Sequence, residues 1–108
     1  MANVILTAAA RADLKEIKDY IATVLLNPGS ANGILKRITS DLRSLEQFPE
    51  LGTVIQLEES SVAYRYLVCG SYMPFYHIQG DNVIVDRVLY GRRNYMKILF
   101  GNELQEEE

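Results

Sequence analysis

Arginine and tyrosine dominate the part of this chain where chemistry could sit. Arg65 lies inside a strand-like stretch between Tyr64 and Tyr66, and Arg87 lies inside another. The segment Tyr90-Gly91-Arg92-Arg93-Asn94-Tyr95 follows directly. A guanidinium grips phosphate oxygens in pairs, and a phenol can stack on a base while its hydroxyl donates or accepts a proton. A strand-borne arginine facing an open sheet surface would suit a phosphate at which charge develops, without help from a metal. Each residue also has a purely structural reading. Arg87 could pair with Asp86 or a helix carboxylate, Arg92 and Arg93 could be a solvated turn, and alternate tyrosines could be core with wet hydroxyls.

Other catalytic patterns are missing from the sequence. His77 is the sole histidine, so a histidine metal cluster cannot form, and neither a nucleophile elbow nor a phosphate-cradling glycine loop occurs. Cys69 and His77 could in principle pair as nucleophile and base, but Cys69 ends a strand-like run before a turn, where a buried inert thiol is the commoner state. Glu50, Glu58 and Glu59 fall in a connecting region, and spacing selects none of them as a base; Glu50 stands nearest to a candidate. No metal and no cofactor are expected.

The elements that must hold these residues are legible from periodicity. Asn3 to Leu6 reads as a short first strand, and Thr7 as the cap of a helix whose stripe is Ala10, Leu14, Ile17, Ile21 and Leu25. Asp13 falls in that helix's first turn, where a negative charge is favourable. Pro28 and Gly29 end the helix and Ser30 caps a second, with Ile34, Ile38, Leu42 and Leu45 as its stripe. So short a link predicts an antiparallel helical hairpin. Phe48-Pro49-Glu50-Leu51-Gly52 turns the chain, and Val54, Ile55 and Leu57 offer a short edge segment. Strands are then expected over Val62 to Cys69, Tyr72 to Ile78 and Val83 to Leu89, joined by tight turns as an antiparallel meander. Pro74 belongs at an edge or bulge. Simple alternation puts Val83, Val85, Arg87 and Leu89 on one face. Asn94 could cap a short final helix through Tyr95, Ile98 and Leu99.

Together these predict an α+β domain over residues 1–102: a short strand, a two-helix hairpin, a meander sheet and a short C-terminal helix. An acidic tail at 103–108 is expected to fray. The 108 residues suit one domain. The net charge of -3 disfavours a generic nucleic-acid binder, although residues 65–102 carry five cations against two carboxylates. The first residues lack a basic leader, no stretch approaches the ~18 apolar residues of a membrane span, and Cys69 is the only cysteine, so the cytoplasm is the expected compartment.

The order of these pieces resembles the RelE/ParE superfamily of bacterial toxins. Leu6-Thr7-x-x-Ala10-x-x-Asp13-Leu14-x-x-Ile17-x-x-Tyr20-Ile21 is similar to the family's first helix, and Phe48-Pro49-x-x-Gly52 to the link after its second. Tyr64-Arg65, Tyr72-x-x-Phe75-Tyr76-x-Ile78 and Val83-x-Val85-x-Arg87-Val88-Leu89 are similar to its sheet. Tyr90-Gly91-Arg92-Arg93 stands where the family often has His-Gly-Arg-Arg, and Tyr72-Met73 stands where it often has Tyr-Arg. The resemblance implies the toxin of a type II toxin–antitoxin module, with a cognate antitoxin as partner and self-association possible. As a first expectation it implies a metal-independent, ribosome-dependent endoribonuclease acting on translated mRNA. Arg65, Tyr90 and Tyr95 would then be catalytic, and Arg87, Arg92 and Arg93 substrate-binding. A tyrosine at position 90 can donate a proton at neutral pH but is a poor base. The alternatives are a ParE-like toxin that poisons DNA gyrase without cleaving RNA, and a degenerate toxin that only binds its antitoxin.

Overall fold

The computed structural model describes residues 1–24, 28–55, 63–91 and 98. β1 (Asn3–Leu6) runs into α1 (Ala8–Asp19), capped by the Thr7 hydroxyl, which accepts from the Ala10 N–H at 3.0 Å. The helix continues into one wider π turn, Tyr20–Val24. α2 spans Pro28–Ser44. Pro28 is thus the first residue of the second helix and not part of the break before it. Its missing N–H costs nothing there, because the first helical turn has no intrahelical acceptor for that group.

Five strands follow the order β1-β5-β4-β3-β2, with β2 at Thr53–Ile55, β3 at Tyr64–Tyr66, β4 at Tyr72–Gln79 and β5 at Asn82–Tyr90. β2 through β5 form the expected antiparallel meander. The sheet as a whole is mixed, however, because β1 joins β5 in parallel, from Asn3 opposite Asn82 to Leu6 opposite Val85. The helical hairpin separates β1 from the meander in sequence, and a crossover of that length permits parallel pairing. The expected C-terminal helix falls outside the described residues except at Ile98, which packs against Ile55, Phe75 and Leu89.

Two departures inside the sheet have local causes. The strand expected over Val62 to Cys69 is regular only at Tyr64–Tyr66, with a single further bridge from Cys69 to Tyr72. Pro74 explains the gap. Its carbonyl accepts from the Leu67 N–H at 3.0 Å, but it has no N–H to return, so the ladder stops one pair earlier. Pro74 sits in an interior strand, one residue from the register shift at Phe75/Tyr76. There Tyr76 pairs with Val85 and Phe75 with Arg87, which leaves Asp86 as the extra residue of a bulge in β5. The extra residue inverts the alternation. Val83 and Val85 face the helices with Val88, whereas Leu89 lies on the opposite face with Phe75. Val83, Val85, Arg87 and Leu89 therefore do not share a face as simple alternation predicts.

The main core lies between the helical hairpin and one sheet face: Ala10, Ile17, Ile21, Ile38, Leu42 and Leu45 against Cys69, Tyr72, Tyr76, Val83, Val85 and Val88. The other face carries the smaller cluster of Ile55, Phe75 and Leu89, flanked by Tyr64, Tyr66 and Met73. Gly70 and Gly80, in the two hairpin turns, hold φ of +65° and +63°, a conformation that costs any residue with a Cβ.

Candidate functional site

Arg65 is placed by its β3–β4 pairing opposite Tyr76, on the helix-facing side of the sheet. Its Nη1 donates to the carbonyls of Glu50 and Gly52, both at 3.1 Å. The Tyr76 hydroxyl, at the centre of the same turn, donates to the Pro49 carbonyl at 2.7 Å and accepts from the Gly52 N–H at 2.9 Å. Burial raises the Tyr76 phenol above its ordinary value, opposed by the Gly52 hydrogen bond and the nearby Arg65 charge. Arg65 and Tyr76 together tie down the turn after α2, and Glu50 takes part through its backbone carbonyl.

Arg87 is held as firmly. Its Nε and Nη2 donate to the two carboxylate oxygens of Asp13 at 2.7 and 2.9 Å, and Asp13 Oδ2 also accepts from the Val88 N–H at 2.9 Å. β1 pairs with β5 only as far as Val85, and the bulge then turns Val88 toward the side β1 no longer covers. Asp13, reaching from α1, takes the place of the missing strand. Its side chain is 9% exposed and that of Arg87 is 31% exposed, so the pair is largely withdrawn from water. The hydrogen bond to Asp13 is the main reason the Arg87 guanidinium is raised above its ordinary value; burial opposes it.

Tyr90 ends β5, is 58% exposed and has its ring 5.5 Å from that of Tyr72, edge to face. Arg92, Arg93 and Tyr95 lie outside the described residues. Of the sequence candidates, the structure thus brings none of Arg65, Arg87 and Tyr90 into contact with another. Arg65 and Arg87 each serve a separate internal clamp, and Tyr90 marks the end of the sheet.

Cys69 and His77 do not meet either. Cys69 belongs to the helix-side core, whereas His77 alternates with Tyr76 and Ile78 and so faces the other way. His77 Nδ1 lies 2.7 Å from Asp86 Oδ2, and its ring meets Tyr64 edge-on with centroids 5.3 Å apart. A carboxylate at that distance accepts, so Nδ1 carries the proton. Regular alternation from the β4–β5 turn already sets Asp86 on the face of His77, diagonal to it across the hairpin, so this pair was within reach of sequence reasoning.

Burial pushes the Cys69 thiol up to about 12, reinforced by a hydrogen bond to Asp41 and opposed by Arg37. The sign of the resulting pH effect follows from linkage. The unfolded thiol ionises near 9.0, while the folded one keeps its proton, so the contribution is complete below that pH. Above it, stability falls by about 1.4 kcal/mol per pH unit until the folded thiol ionises. Tyr64, Tyr72 and Tyr76 are also raised, mainly by burial, and add the same trend at higher pH. The urea midpoint is expected to be flat from pH 7 to 8.5 and to drop above 9, with the native thiol inert to iodoacetamide. A constant midpoint up to pH 10.5 would refute this.

The architecture matches solved toxins. The family model described as the ParE toxin of the type II toxin–antitoxin system parDE matches residues 4–95. The chain belongs to this ParE toxin family. The chromosomal ParDE system from P. aeruginosa contains a chain of the same fold, with TM-score 0.70 and 23% identity over 85% of this chain and 98% of that one. The toxin–antitoxin complex RelBE2 from Mycobacterium tuberculosis gives TM-score 0.59 and 20% identity over 82% and 96%. No curated protein matches the sequence. The ParE match corrects the first expectation of a RelE-type nuclease acting on mRNA: family membership lies with the ParE branch. Two features agree with the correction. The strand arginines are occupied by internal oxygens, and tyrosine replaces histidine at position 90.

Proposed function

We propose that this ParE-family chain is the toxin of a type II toxin–antitoxin pair and that it poisons DNA gyrase by binding, without cleaving RNA. The observation that carries the reading is the ParE family match over residues 4–95. The internal engagement of Arg65 and Arg87 supports it, since both guanidinium groups already donate to oxygens of the chain itself. Tyr90, with Arg92 and Arg93 next to it in sequence, is the part of the proposed site suited to contact a target. The chain's proposed partner is a small cognate antitoxin. The proposed setting is the cytoplasm, where gyrase works; among the described residues no helix is long and apolar enough to cross a membrane.

The test is direct. Purified protein added to gyrase, ATP and relaxed plasmid is expected to block supercoiling and accumulate linear DNA on detergent denaturation. Translating ribosomes given the same protein are expected to keep their mRNA intact. Undisturbed supercoiling at a large molar excess of toxin would reject the gyrase reading.

A further inference from the structure

Two backbone hydrogen bonds fix which groups β1 turns outward. The Asn3 N–H donates to the Asp81 carbonyl at 2.9 Å and the Thr7 N–H to the Val85 carbonyl at 3.1 Å. Alternate residues of this strand therefore turn their N–H and C=O groups toward β5, and Val4 and Leu6 turn theirs off the edge of the sheet. Among the described residues β1 is the last strand on that side. Both helices are fixed over inner strands. Asp13 of α1 holds Arg87 and Val88 of β5, while Arg37 and Asp41 of α2 lie beside Gly70 and Cys69 at the β3–β4 turn.

The side chains of this edge are as plain as its backbone. Val4 and Leu6 pack against the helix-side core, which leaves Ile5 on the opposite face, 41% exposed. There Ile5 ends a row that crosses all the strands: it lies opposite Ile84, Ile84 opposite His77, His77 opposite Tyr64, and Tyr64 opposite Ile55. Ile55, at the other end of the row, is buried. Strand edges are commonly blunted by lysine, proline or a bulge. β1 has none of these: no side chain from Met1 to Ala10 is charged, no proline occurs there, and its register with β5 is unbroken.

The symmetry of the strand identifies its occupant. A second copy laid antiparallel, with its Ile5 against this one, brings Val4 opposite Leu6 of that copy. Both residues turn outward, so they exchange both backbone hydrogen bonds, and a two-fold axis repeats the exchange. Ile5 then falls in the non-hydrogen-bonded position, where facing side chains approach most closely, and the two rows join into one. Each copy has a net charge of -3, but none of its charged side chains stands on this strand. Another protein would have to reproduce this uncharged, symmetric pattern, which the chain itself already carries.

We infer that two copies of this toxin associate by antiparallel pairing of their β1 edges about a two-fold axis at Ile5. The inference is independent of the gyrase reading. Strands this short bury little area, so the dimer is weak and dissociates on the order of 100 µM.

Sedimentation velocity of the purified full-length protein, from about 5 to about 500 µM, is expected to show a shift from monomer to dimer. Ile5→Lys and Ile5→Glu each set like charges on the axis and should weaken association at least about tenfold. Mixed in equal amounts they set opposite charges there and should recover it. Val68→Lys, at a 62% exposed position outside β1, should associate like the wild type. Melting curves verify that every variant is folded. A wild type that stays monomeric over the whole range would overturn the inference. Ile5 variants that associate as the wild type does would also overturn it, as would a mixture no better than either variant alone.

Discussion

Replacing Asp13 with alanine is expected to lower the stability of this domain by about 3 kcal/mol. Three hydrogen bonds end on this carboxylate: two from Arg87, and one from the Val88 N–H, on the side of β5 where the β1 pairing has ended. Alanine leaves a guanidinium partly desolvated and a buried backbone donor unsatisfied, and both costs fall on the folded state alone. Partial exposure of Arg87 lets water recover some of the loss, which keeps the estimate at the lower end for a broken buried pair. In a domain of this size the melting temperature should drop by about 15 °C. Urea denaturation of Asp13→Ala, Arg87→Ala and the double variant at pH 7 checks the argument. The double variant should cost clearly less than the two singles together, because the second substitution removes a charge the first has stranded. A loss below about 1 kcal/mol for Asp13→Ala would show that Val88 and Arg87 find other partners.

Gly52→Ala is the second large effect. A Cβ at this position would stand 2.7 Å from the Tyr66 carbonyl oxygen, 2.8 Å from the Tyr76 hydroxyl and 2.9 Å from its ring. Tyr76 is fully buried and paired across two strands, so it cannot swing aside. The turn itself must move, which breaks the two hydrogen bonds of Tyr76 and the two of Arg65 at once. Overpacking and lost hydrogen bonds together should cost about 2–4 kcal/mol, read as a lowered urea midpoint with near-native spectra. A midpoint unchanged within error would mean the turn is not held from beneath as described. The same clamp alters how Arg65 variants must be read. Loss of toxicity in Arg65→Ala would not by itself mark a phosphate-binding group, because the substitution also frees the turn that ends at Gly52. A melting curve must accompany any such measurement.

Local chemistry made much of the fold readable from sequence. The stripes Ala10, Ile17, Ile21 and Ile38, Leu42, Leu45 are buried at helical spacing, and the Thr7 cap and both hairpin turns are where their residue types demand. Tyr64 and Tyr66 lie on the face opposite Arg65, as a period of two requires. These features depend on residues a few positions apart, so sequence carries them directly.

The tertiary structure decided what depends on distant partners. Parallel addition of β1 to β5 left the end of β5 uncovered, and an aspartate 75 residues from Val88 filled that gap. Read along the sequence, Asp13 is only an acid near a helix start. The bulge at Asp86 reversed the alternation of β5 and moved Leu89 to the far face. One inserted residue is invisible to a pattern that assumes regular pairing. The arginines were evident from the sequence as the groups best suited to chemistry, but only folding determined which oxygens they would meet. For Arg65 and Arg87 those oxygens belong to the chain itself. Tyr90 is the most exposed of the described candidates, its ring edge-on to that of Tyr72 across the hairpin.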